Sequence, residues 1–226
     1  MQRSNAIRNQ ILEDIAAGRL AFGTRITIDD LASRYGSSHM PIREALRQLA
    51  GEALVEFAPG RGARMSRVDN TFVENLFATR LALEVMLVRR ATQHAGPAVA
   101  TELEPIEAGL EAAVAASDFP AALEANRAFH QAINRAARNR HAASLVDRNW
   151  ILVQGLWHRV GFGPERLPGV VSDHRHLMRA LASRDVEAAG VLMGAHVLKA
   201  RDDLLSRMEA GIGGTGDIRP RTKPHA

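Results

Sequence analysis

The 226-residue chain is 46% apolar and 24% charged with no cysteine, a globular composition that excludes a disulfide framework, a thiolate nucleophile and a cysteine-ligated metal. No run approaches the roughly 18 consecutive apolar residues of a membrane span, and the N-terminus is charged every few residues, so the expectation is a cytoplasmic protein with no membrane partner. The net charge of +4 is uneven: residues 1–67 carry ten Arg against seven acids, residues 68–210 carry 16 basic residues against 17 acids, and residues 211–226 carry three against one.

Aromatic residues make up only 4% of the chain, and Ala and Leu dominate the apolar set, which favours helix over strand. Ile7, Ile11, Leu12 and Ile15 recur at helical spacing before Gly18, predicting a helix over 4–17. After a loop containing Gly23, Thr27 can cap a second helix that ends at Tyr35-Gly36. Ser37 or Ser38 can cap a third, with Pro41 tolerated in its first turn and Ile42, Ala45, Leu46 and Leu49 buried. Two short helices joined through a glycine read as a helix-turn-helix, and 54–66 read as a hairpin with a basic, glycine-rich tip. Beyond a linker at 68–70, helices are expected near 71–94, 98–116, 119–137, 141–160, 168–183 and 185–209, an antiparallel bundle. The fold class is therefore mainly α: a helix-turn-helix with a hairpin wing over 1–67, an all-helical antiparallel bundle domain over 71–210, and a disordered basic tail over 211–226.

In a helix-turn-helix the second helix enters the major groove with its first turn facing base edges. Here that turn is Ser38-His39-Met40-Pro41-Ile42-Arg43, with Arg47 one turn later. Arg43 suits bidentate contact to guanine, and Ser38 and His39 can meet phosphate or bases; pairing of the arginines with Glu44 is the alternative. Arg61 between Gly60 and Gly62 puts a cation on the hairpin tip, where it can follow a phosphate backbone or enter the minor groove. The Gly18 to Arg25 stretch, Leu31-Ala32, the run Pro41-Ile42-Arg43-Glu44-Ala45-Leu46-Arg47 and Pro59-x-x-Gly62 resemble the winged helix-turn-helix of GntR-type bacterial transcriptional regulators. The resemblance implies DNA contact through Ser38, Arg43, Arg47, Gly60 and Arg61. The chain departs from the family pattern at His39, where Arg is usual, and at Ala53, where Gly is usual.

Nine histidines are present. Asn126 and His130 are spaced i,i+4 and share a helix face. His174 lies ten residues before Arg184 and His196 eleven after Asp185. A tight helical turn at 184–185 would set them about 15 and 16 Å from it at 1.5 Å per residue, level on antiparallel helices. Three converging imidazoles can bind a divalent metal with open positions; three unrelated histidines are the alternative. Trp150 and Trp157, seven residues apart on one face, suit core or dimer packing, with ligand stacking as the alternative. Residues 71–209 resemble the FCD ligand-binding domain of the FadR-type branch through Arg80-x-x-Leu83-Glu84, Phe129-His130, Asp173-His174 and Ala188 through His196. That resemblance implies metal ligation by His130, His174 and His196 with zinc, nickel or manganese, completed by a small carboxylate effector. The family's Asp is Asn126 here, which offers a carbonyl oxygen without charge and lowers the expected metal affinity. Arg80 can pair with an effector carboxylate or with Glu84.

These expectations converge on a ligand-responsive regulator, repression being the default sign, that binds a pseudo-palindromic operator in double-stranded DNA as a homodimer. A regulator whose effector is the metal itself uses the same residues. A metal-dependent hydrolytic enzyme is the remote alternative, since no H-E-x-x-H motif occurs and only Asp173 stands near as a general base.

Overall fold

The computed structural model describes residues 2–52, 54–58, 62–163 and 165–211. Gly60, Arg61 and the tail from 212 onward lie outside them, as does Ala53.

The N-terminal part comprises α1 (Gln2–Ala16), β1 (Arg25–Ile26), α2 (Ile28–Arg34), α3 (His39–Gly51), β2 (Val55–Ala58) and β3 (Gly62–Met65). Thr27 caps α2 by accepting from the Asp30 amide at 3.1 Å, and Asp29 and Asp30 add negative charge at that helix's positive end. Gly36, at φ +57°, supplies the left-handed residue that turns α2 into α3. Ser38 stands at the N-cap position of α3 without making a side-chain cap bond. Ile7, Ile11, Ile15, Leu31, Ile42, Leu46, Leu49, Val55 and Met65 close the core of this head.

One expectation needs correction. The stretch before α2, expected as loop, contributes β1, which pairs antiparallel with β3 (Arg25↔Arg64, Ile26↔Ala63) and turns the hairpin into a sheet of order β1-β3-β2. Two residues are too short for an alternation signal, so only the partner strand reveals it. The helices expected at 71–94 and 98–116 follow one another in α4 (Asn70–Ala115) and are parted by a kink at Ala95, whose φ of −151° is non-helical, next to the expected break at Gly96-Pro97. Pro97 lacks the amide that would bond back to residue 93 and its ring crowds that carbonyl, so the helical path is interrupted there. Gly96 is needed there, because a Cβ would collide with the carbonyl oxygen of Leu181.

The remaining helices are α5 (Phe119–Ala136), α6 (Arg140–Val160), α7 (Arg166–Ala182) and α8 (Val186–Glu209). Three of the connections are built alike. Ser117, Arg138 and Arg184 take positive φ (55°, 53° and 57°), and each precedes a side-chain N-cap: Asp118, Asn139 and Asp185. Each cap oxygen accepts from the amide three residues on, at 3.1, 3.1 and 2.9 Å. These turns are short, so consecutive helices run antiparallel and in register. The bundle core joins Phe77, Leu87, Val88, Leu103, Phe129, Ile133, Trp150, Leu177, Leu181, Met193, Val197 and Leu204, and it is continuous with the head core where α1 lies on α6.

Candidate functional site

The tight turn at Arg184-Asp185 sets His174 on α7 level with His196 on α8, their ring centroids 5.1 Å apart. His130 on α5 completes the group, 5.8 Å from His174 and 5.2 Å from His196. All three are buried, and each offers a nitrogen within 4.8 Å of those of the others. The Nε2 atoms of His130 and His196 are 3.3 Å apart. That matches the N···N edge of about 3.3 Å expected for two imidazoles on one tetrahedral ion with bonds of about 2.0–2.1 Å. Without an ion the same spacing serves one Nε2–H···Nε2 hydrogen bond.

Each ring is oriented from its far side by a carboxylate. Glu84 Oε2 lies 2.6 Å from His130 Nδ1, close enough for an ion pair although not aligned as a hydrogen bond. Glu107 Oε2 lies 2.8 Å from His174 Nδ1, and Asp173 Oδ2 3.3 Å from His196 Nδ1. Phe129 stacks flat on His174 at 3.7 Å and fixes its plane. Anchoring Nδ1 leaves Nε2 as the atom directed at the shared centre, the arrangement that metal-binding histidines require. Several polar atoms here are buried without a hydrogen-bond partner, among them His174 Nε2, Asn126 Oδ1, Trp150 Nε1 and Arg166 Nε. Unpartnered polar groups in a dry site are costly, which fits a group that binds there.

Burial would raise the Glu84 carboxyl, but the adjacent Arg80 guanidinium and His130 outweigh it and hold it down at about 2. Asp173 is held at about 2 against burial by its hydrogen bonds to His196 and to Lys199, whose Nζ lies 2.6 Å away. Burial pushes His174 well below the usual imidazole value and takes His196 to about 4, Asp173 opposing the latter shift. Both are therefore neutral at pH 7, as ligation demands. Glu107 is pushed up to about 8 by burial and by Glu111, with Arg175 opposing.

Beside the cluster is a cavity of about 20 Å³, lined by Arg80, Asn126, His196, Arg166, Trp150 and Trp157 with several aliphatic side chains. It has room for roughly one water. Arg80 Nε bonds Glu84 Oε1 at 2.7 Å while its guanidinium stacks on Trp150 at 4.4 Å. The Glu84 pairing weighed in the sequence is thus present, and Arg80 also faces the cavity. Trp150 and Trp157 are core residues that double as its wall.

On the head, Ser38, His39, Arg43 and Arg47 are all exposed along the start of α3. Arg47 lies 3.9 Å from Glu44 and His39 Nε2 3.0 Å from Asp29, while Arg43 has no ion-pair partner among the described residues. Gly60 and Arg61 lie outside the described residues. Strand β1 adds an exposed cross-strand row, Arg25, Arg64 and Glu56, that the sequence alone did not bring together.

Residues 3–65 match the family described as bacterial regulatory proteins, gntR family, and residues 75–199 match the FCD domain. The chain belongs to the GntR family. This GntR protein is a DNA-binding transcriptional regulator of the FCD type, and the hydrolytic reading falls with that assignment. It is 24% identical over 183 residues to the Escherichia coli K12 HTH-type transcriptional regulator McbR, covering 80% of this chain and 83% of McbR. The solved structure of E. coli McbR/YncC shares the fold, with a TM-score of 0.79 at 21% identity over 92% of this chain and 99% of that one. The HTH-type transcriptional repressor GlaR of E. coli K12 is 27% identical over 193 residues, covering 82% of this chain and 88% of GlaR. No helix among the described residues of this GntR protein is long and apolar enough to cross a membrane.

Glu107 and Arg166 were not singled out in the sequence. Each is brought to the site from a position whose spacing carries no signal.

Proposed function

We propose that this regulator is a cytoplasmic repressor that releases or repositions on its operator when a small organic acid enters the helical domain, with a divalent ion at His130, His174 and His196. The observation that carries the reading is the convergence of three buried histidines, each backed by its own carboxylate, beside a cavity that also holds Asn126. Asn126 Oδ1 is the candidate fourth protein ligand. A bound divalent ion supplies a Lewis-acidic site for a carboxylate. Repression is carried over from relatives named as repressors, GlaR among them.

Recognition is assigned to Arg43, with Ser38, His39, Arg47, Gly60 and Arg61 supporting it on the backbone or neighbouring bases. A homodimer follows from the two half-sites that helix-turn-helix proteins read, and Val191, 67% exposed on α8, is an apolar residue available for packing between copies. An effector acts only if it binds one placement of the heads better than the other. Helix α6 suits that coupling, since Trp150 and Trp157 face the cavity and Gly155 faces α1.

The test is to select bound fragments from genomic DNA with the full chain, then measure affinity for the selected fragment with chelator, with zinc, and with zinc plus a panel of short carboxylates. Zinc plus one carboxylate changing the affinity supports the reading. A change with zinc alone, and none on adding any acid, favours the metal-sensor reading instead.

A further inference from the structure

Among the charges around the cavity, Arg166 is the one that lacks compensation. Arg80 is neutralised in place by Glu84 at 2.7 Å. His196 and His174 each face a carboxylate, Asp173 at 3.3 Å and Glu107 at 2.8 Å. Arg166, the first residue of α7, lines the same cavity, its Nε is buried without a hydrogen-bond partner, and no carboxylate lies within ion-pair distance of it among the described residues. Asp203 and Asp173 act on it only through space, and Asp203 Oδ2 is itself buried and unpartnered. A guanidinium presents five donors in a planar fork suited to a carboxylate, and one left with a dry, unbonded nitrogen is costly unless an anion meets it. Apart from Asn126, the rest of the wall is mostly apolar: Leu123, Val153, Trp157, Phe162, Val170 and Val197 are among its residues.

We infer that Arg166 is the carboxylate anchor of this cavity and that the effector is a compact monocarboxylate with an apolar or aromatic body. The inference rests on the reading of the helical domain as an effector domain, and it shifts the anion contact from Arg80 to Arg166. With the histidine cluster free of metal, a second carboxylate on the ligand would find no second free cation and would be desolvated against aliphatic and indole surface. The open volume of about 20 Å³ is smaller than any such acid, so entry displaces the wall, which includes both tryptophans of the chain.

Intrinsic fluorescence of Trp150 and Trp157 therefore reports binding directly. The full-length protein is titrated with benzoate, with benzamide as the uncharged isostere and succinate as the dicarboxylate, each with chelator and with zinc. Benzoate is expected to give a saturable change, with benzamide and succinate at least about tenfold weaker, the loss typical of a charge-assisted contact. Arg166→Gln is expected to lose about tenfold or more in benzoate affinity and Arg166→Lys to recover part of it, with the melting temperature of both near that of the wild type. Asp203→Asn is expected to keep benzoate binding, which separates an anchor from a mere partner of Asp203. Benzoate affinity unchanged in Arg166→Gln, preference for succinate in the presence of chelator, or no fluorescence change with any of the three overturns the inference. Binding that needs Arg166 but not zinc sustains the inference and removes the metal from the proposed function. Binding that needs zinc but not Arg166 does the reverse.

Discussion

Gly155 on α6 lies so close to the end of α1 that a Cβ there would stand 2.7 Å from the carbonyl oxygen of Ile15 and 3.2 Å from Phe22 Cε2. The head is thus seated backbone-to-backbone on the helix that also carries two walls of the cavity. Gly155→Ala must push α1 away, and the clash with a carbonyl cannot be relieved by a rotamer change. The expected cost is about 1–3 kcal/mol of stability, read as a lower melting temperature, together with loss of the ligand-induced change in DNA affinity. An unchanged ligand response in a folded Gly155→Ala protein would show that α6 does not couple the two sites.

Arg43→Ala is expected to weaken specific DNA binding by about 10- to 100-fold and to relax preference at one base pair. Arg61→Ala is expected to weaken binding to all sequences alike and to flatten the salt dependence. Competition binding with specific and random duplexes separates the two behaviours. Equal specific affinity for Arg43→Ala and the wild type would remove Arg43 from base recognition.

Asp14, buried at the end of α1, accepts from Arg19 and Arg34 at 2.6 Å each and from Tyr35 at 2.8 Å. Burial alone would raise its carboxyl, but these hydrogen bonds together hold it below the usual 3.8. A lowered folded-state value means the unfolded chain binds the proton more readily, so its contribution is full above about pH 4 and fades as pH falls through the folded value. Asp14→Asn should cost about 1 kcal/mol at pH 7, since both arginines reach solvent. That difference should shrink towards pH 3 in melting experiments. A difference independent of pH would mean that packing, rather than charge, holds Asp14.

Glu107 has the opposite sign. Its value is raised to about 8, so its favourable share is present below the unfolded value of about 4.5 and is lost as pH rises towards and through 8. Glu107→Gln should therefore melt near the wild type at pH 5 and above it at pH 9 in metal-free protein. A variant less stable at pH 9 would indicate that the ionised carboxylate is needed to hold His174.

Much of the site was legible in the chain because its helices are joined by short turns. The ten- and eleven-residue offsets of His174 and His196 translate into equal heights only because Arg184 takes a left-handed conformation and Asp185 immediately caps α8. His130 and Asn126 shared a face by helical spacing alone. Glu84 and Glu107 were different, because they come from either side of the bend in α4, 46 and 67 residues from the histidines they orient. Local periodicity holds no information about such partners. The bend was legible, since Gly96-Pro97 signals a helix end and the non-helical residue is Ala95 beside it. Strand β1 was invisible, being defined by β3 rather than by its own two residues.

The most direct measurement is the metal content of untagged protein after dialysis against chelator-free buffer containing zinc, with His130→Ala as the comparison. About one zinc per chain in the wild type, released in the variant, is expected from three imidazoles with anchored Nδ1 atoms. Zinc-free wild type, or equal zinc in both proteins, would contradict the assignment of the histidine cluster as a metal site.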